Sequence, residues 1–202
     1  MNKELSVQLS PAAVASPTRV SSLLRASGIV LGGSLLAALC AHVSIPLFFT
    51  PVPLSLAPFA VLFLGLLLSP RMAAATFVAY LAEGAAGLPV FAPSPAISGM
   101  AHLFGPTGGY LLAYPFAAAL IAFLWRRSGQ SFSAALLCAA TGDIAILAGG
   151  ALWLAAIAPL PSLSAPTLAI FPFLPGDALK VAAAAGMAMG LRRLRRRDPQ
   201  NA

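Results

Sequence analysis

"FLPGDALKVAAAAG" (residues 173–186) places an aspartate and a lysine three residues apart at the head of an otherwise apolar, alanine-rich helix. Asp177 follows Pro175 and Gly176 and stands in the first helical turn, with Lys180 one turn deeper. Side chains at i and i+3 share a helix face, their Cβ atoms about 5–6 Å apart. Placing a charge at the centre of a bilayer costs at least ~2.5–3.5 kcal/mol. Two charges in one turn therefore mark a site if this helix lies in a membrane.

The composition puts it there. Of 202 residues 59% are apolar and 8% charged, with a mean hydropathy of +0.91, whereas a soluble domain carries about 25% charge. So few charges would not cover a water-soluble globule, and the chain reads as an integral membrane protein. The eighteen prolines and seventeen glycines have no collagen-like period, and the wealth of Leu, Ile, Val and Phe excludes a disordered chain. The net charge of +7 does not imply a nucleic acid, because the basic residues gather at segment ends instead of spreading over a soluble face. Cys40 and Cys138 lie in apolar runs without C-x-x-C spacing and read as small buried hydrophobes. Neither a metal site nor a cofactor is expected. The first apolar run begins near Ser27 with no small-residue cleavage site and reads as a retained helix.

The expected fold is all-α, with six transmembrane helices near 24–43, 55–69, 71–87, 108–126, 132–157 and 175–193. A polar N-terminal tail (1–22) precedes the membrane domain (23–194), and a basic tail (195–202) follows it. "SPR" and "RRSGQ" join two tight helical hairpins, while "SIPLFFTPVPL", "LPVFAPSPAISGMAHLFGPT" and "APLPSLSAPTLAIFPFL" contain no Lys, Arg, Asp or Glu. Eleven of the twelve basic residues fall on one side of this map and Lys180 is the exception. The positive-inside rule then makes both termini cytoplasmic. The three Pro-rich loops face outward, and irregular apolar backbone of this kind is expected to fold over the bundle mouth as a lid.

Away from the arginine-bearing ends of the spans, four acidic or basic residues lie within them: Glu83, Asp143, Asp177 and Lys180. Asp177 and Lys180 read either as a structural ion pair or as an acceptor beside a donor. The second arrangement suits an amide or urea head, and equally a zwitterion or carboxylate. In "HLFGPTGGYLLAYPFAA" (102–118), Pro106 to Gly109 form the turn into the fourth span. The free N–H groups around Thr107, Gly108 and Gly109 are a candidate seat for a carboxylate. Tyr110 and Tyr114 follow on one helix face, suited to packing or to a ligand. The stretch is no phosphate loop, because it lacks the Walker lysine. Glu83 shares a face with Tyr80 in the half of its helix away from Arg71, and Asp143 lies near mid-depth. His42 and His102 read as structural histidines. Gly33, Ala37 and Ala41 form a small-residue stripe that lets another helix approach closely.

"PVPLSLAPFAVLFLGLLLSPR", "GLPVFAPSP", "HLFGPTGGYLLAYPFAA" and "PFLPGDALK", in this order, resemble the BioY family, the biotin-specific S components of energy-coupling factor (ECF) transporters. The resemblance covers roughly residues 29–185. It implies a non-enzymatic, six-helix capture protein of the bacterial cytoplasmic membrane. Such a protein works with a transmembrane T component and two cytoplasmic ABC-type ATPases. It further implies that Asp177 accepts from a ureido N–H of biotin and that Lys180 donates to the ureido carbonyl or to the carboxylate. Gly33, Ala37 and Ala41 resemble the stripe by which S components dock on the T component. The segment "APSPAI" departs from the glycine-rich run common at that place. The competing class is a self-sufficient secondary transporter driven by protons through Glu83 and Asp143, which predicts inverted repeats that the sequence does not display.

Overall fold

The computed structural model describes residues 19–93, 99–157 and 169–197. Most of the expected N-terminal tail (1–18), the end of the C-terminal tail (198–202) and parts of two Pro-rich loops (94–98 and 158–168) lie outside the described residues. Helices occupy Arg19–His42 (α1), Ala57–Leu67 (α2), Pro70–Ala85 (α3), Ala101–Phe104 (α4), Gly108–Arg127 (α5), Phe132–Ile157 (α6) and Leu174–Arg197 (α7). The chain is not wholly helical. In the first Pro-rich loop Ser44–Ile45 (β1) and Leu54–Ser55 (β2) pair antiparallel, Ser44 opposite Ser55 and Ile45 opposite Leu54. The helix ends also differ from expectation, since α1 begins at Arg19 and α7 continues through Arg197.

Local chemistry explains the boundaries. Leu68 is extended and Ser69 has ψ of 156°, because the residue before a proline is pushed out of the α region. Pro70 opens α3, where its missing N–H costs nothing. The Ser69 hydroxyl accepts from the Met72 amide at 3.3 Å, an N-cap that turns the α2–α3 hairpin within three residues. At the other hairpin Gln130 takes a left-handed φ of 53°, and Ser131 caps α6 by accepting from Ala134 N at 3.2 Å.

Three of the described helices are long and apolar enough to cross a membrane: Val20–His42, Gly108–Arg127 and Phe132–Ile157. Their outward faces are apolar, with Leu31, Leu35 and Leu39 on α1 and Leu137, Ile144 and Leu152 on α6 exposed. A contiguous apolar exterior of this kind suits lipid and not water. The protein is a membrane protein. At 11 residues α2 is shorter than the expected 55–69 span, only about 16 Å at 1.5 Å per residue. It lies in the middle of the bundle, packed against α1, α5, α6 and α7, and it is buried on nearly every side.

Helices α5 and α6 pack against each other extensively. A Cβ on Gly149 would stand 2.9 Å from Ala113 Cβ and 3.1 Å from the Gly109 carbonyl oxygen, and a Cβ on Gly150 would overlap the Tyr110 ring. Helices in lipid associate through close packing of this kind, because lipid tails supply no hydrophobic drive between apolar faces. The arginine end is tied as well. Arg192 Nη1 donates to Gln130 O at 3.1 Å and its guanidinium lies 5.7 Å from the Trp125 ring centre. Trp125 is buried there, with the Arg192 guanidinium beside its ring.

Gly149→Val should force α5 and α6 apart at a cost of about 1–3 kcal/mol. The readout is the thermal midpoint in detergent, followed by labelling of the buried thiols of Cys40 and Cys138. Gly28→Val, at a position with no atom within 4 Å, should leave the midpoint unchanged.

Candidate functional site: a buried ion pair in an aromatic cavity

Helices α2, α3, α5, α6 and α7 surround a cavity with about 840 Å³ of space free of protein atoms, its open mouth included. The β1–β2 loop from Pro51 to Ser55 and the segment Phe91–Pro93 close part of its rim. Its lining is mainly apolar with a few placed polar groups, as in small-molecule sites.

Those polar groups come from two helices. On α7 Lys180 Nζ donates to Asp177 Oδ1 at 2.7 Å, and both residues are buried. Asp177 N donates to Phe173 O at 2.8 Å, which fixes the carboxylate in the first turn, at the positive end of the helix dipole. Asp143 of α6 is also buried, and its Oδ1 has no hydrogen-bond partner among the described residues. The ion pair uses one acceptor of Asp177 and one of the three donors of Lys180. The geometry thus offers further acceptors and donors to something inside the cavity.

Aromatic rings build the rest. Tyr114 is buried between Phe77, at 6.0 Å between ring centres, and Tyr80, at 6.4 Å. Tyr80 meets Phe91 edge-on at 5.3 Å. Tyr110 stands 6.1 Å from Phe173 and its hydroxyl donates to Ala169 O at 2.6 Å. The Tyr80 hydroxyl donates to Val90 O at 3.1 Å. Each of these hydroxyls holds a loop backbone against the cavity, satisfying a carbonyl that lipid would leave unpaired.

Of the residues singled out by sequence, Asp177, Lys180, Asp143, Tyr110, Tyr114 and Thr107 share the cavity wall. Gly108 and Gly109 do not. A Cβ at either would overlap Leu103 O or the Trp153 side chain, so these glycines allow close packing at the turn into α5. Trp153 Nε1 donates to Gly105 O at 2.9 Å, making this tryptophan a clasp between α6 and that turn. Glu83 faces α1, where the Ser34 hydroxyl donates to Oε2. Ala37 and Ala41 are buried, and a Cβ at Gly33 would press on the Thr76 methyl. This stripe seats α1 on α3, and Ala41 reaches the cavity wall. Sequence reasoning did not place Tyr80, Phe91, Phe173 or His102 in the site, and it read His102 as structural. Only Tyr80 had left a signal, its place one turn before Glu83.

The BioY family profile matches residues 11–197. A protein of Pyrococcus horikoshii named "Probable biotin transporter BioY" is 37% identical over 134 residues, 66% of this chain and 76% of the relative. "Biotin transporter BioY" of Lactococcus lactis is 32% identical over 141 residues, 67% of this chain and 73% of the relative. A crystal structure of the S-component for biotin from an ECF-type ABC transporter superposes with a TM-score of 0.77 at 26% identity, covering 85% of this chain and 93% of that one. With a family profile spanning nearly its whole length and relatives matched over most of theirs, this chain belongs to the BioY family.

Proposed function

We propose that this chain captures biotin in the cavity and delivers it across the membrane as the substrate-binding S component of an ECF-type ABC transporter. The observation that carries this reading is the buried Asp177–Lys180 pair on the same aromatic wall as Asp143, whose Oδ1 has no partner among the described residues. The ureido ring of biotin presents two N–H donors and one carbonyl on an apolar bicycle. Asp177 accepts from one N–H, Asp143 Oδ1 takes the other, and Lys180 donates to the carbonyl. Tyr80, Tyr114 and Phe173 cover the bicycle, and the acidic tail runs toward Thr107.

Six membrane-crossing segments, α1, α2, α3, α5, α6 and α7, make up the full domain, and the shortness of α2 is accommodated inside the bundle. Both termini lie on the cytoplasmic side with the arginines. The Pro-rich loops form the outer lid over biotin. A transmembrane T component and two cytoplasmic ATPases supply the energy, since this sequence has no phosphate loop. Proton coupling through Glu83 and Asp143 gains no support, because Glu83 is engaged with Ser34 away from the cavity.

Calorimetric titration of the purified chain should give one-to-one biotin binding without partner or nucleotide, and a folded protein that ignores biotin overturns the assignment. Asp177→Asn should weaken binding about tenfold or more, the loss of one charge-assisted hydrogen bond. In vesicles, biotin accumulation should require the T component, the ATPases and ATP together. Accumulation by the chain alone along a proton gradient would favour secondary transport instead.

A further inference from the structure

His102, in α4, lines the cavity beside Thr107 and is only 7% exposed. Its ring stands 5.3 Å from Phe91. Nε2 lies 3.3 Å from Ala92 O; a carbonyl only accepts, so Nε2 carries a hydrogen and this bond fixes the ring. Nδ1 is buried with no partner among the described residues. Folded proteins leave few such atoms unpaired, and each is costly. The described residues contain two, His102 Nδ1 and Asp143 Oδ1, and both residues line the same cavity. Among the described residues nothing completes them, and a ligand in that cavity can.

The surroundings of His102 decide what that ligand group is. With Nε2–H held by Ala92, Nδ1 becomes a donor only in the imidazolium form. The short α4 packs on α3 and α5. On the cavity-side half of α3 the ionisable groups are Tyr80, bonded to Val90, and Glu83, taken by Ser34. On the cavity-side half of α5 they are Tyr110 and Tyr114. The two acids of the cavity wall, Asp143 and Asp177, come from α6 and α7. The lysine of the wall, Lys180, holds Asp177 at 2.7 Å on α7. On the α4 side His102 is, among the described wall residues, the basic group that can meet a ligand anion by taking up a proton at Nδ1.

We propose that His102 reads the acidic end of the ligand, its Nδ1–H donating to a carboxylate oxygen, so that the site selects a free acid over its uncharged amide. This rests on biotin being the ligand, with its ureido end across the cavity at Asp177 and Lys180.

The test is titration of biotin and biotin amide into the wild-type chain and two variants. In His102→Gln the terminal amide reaches the position of Nε2 and keeps the bond to Ala92, with nothing at Nδ1. In His102→Asn it reaches the position of Nδ1 and loses that bond. The wild type should prefer the acid by about tenfold or more. Gln should bring the acid-to-amide ratio to about one by weakening the acid alone, and Asn should retain part of the preference. A purely structural histidine predicts the reverse order, with Gln like the wild type and Asn impaired equally for both ligands. A wild-type ratio in the Gln variant, or no acid preference in the wild type, overturns the inference while leaving biotin binding intact. No binding of either ligand by the folded wild type overturns the biotin reading and the inference with it.

Discussion

Hydrocarbon offers no hydrogen bonds, so each polar group of this chain at membrane depth must find its partner inside the bundle. That constraint orders the structure. Ser34 meets Glu83 between α1 and α3, Trp153 meets the Gly105 carbonyl, and the tyrosine hydroxyls of α3 and α5 hold the carbonyls of Val90 and Ala169. Where the constraint is relaxed, at Asp143 Oδ1 and His102 Nδ1, the atoms belong to residues of one cavity wall. The same physics that closes the bundle thereby marks the place where a ligand's polar groups are required.

The cavity exists because α2 starts late. Residues 51–55 fold into the loop and edge of a small ribbon, and helix begins only at Ala57. The space that a full-length helix would fill is left to Tyr80, Tyr114 and the ends of its neighbours. The bundle tolerates this opening because its other contacts are close. Glycine at 109, 149 and 150 brings α5 and α6 together and lets the Tyr110 ring lie flat against α6. Arg192 joins α7 to the α5–α6 turn at the opposite end. The walls are thus held at both ends of the bundle.

A buried ion pair is weak evidence for stability, because desolvation offsets most of the Coulomb attraction. Its persistence at Asp177 and Lys180 is better understood as preparation. The first turn of α7 favours the carboxylate, the carboxylate keeps the lysine aimed, and neither group exhausts its bonding capacity on the other. A neutral head that both donates and accepts then meets groups already in position, and less ordering entropy opposes its binding.

How much of this was legible in the sequence follows from the range over which each feature acts. Apolar composition, helix locations and the arginine asymmetry arise from properties summed along the chain. They appear in the sequence because a membrane imposes the same solvent on every residue. The Asp177–Lys180 pair is local, set by helical spacing, and was readable for that reason. Glu83, Gly108, Gly109 and the Gly33 stripe had the residue types of a site, yet the fold spends them on Ser34, on Leu103 and Trp153, and on Thr76. His102 looked structural until the carbonyl of Ala92 engaged one nitrogen and burial stranded the other. Sequence by itself determined the solvent of this protein, the places of its long helices and one turn of chemistry. Which polar groups face one another across the cavity was decided by tertiary packing, because partners on different helices meet only after the helices have chosen their neighbours.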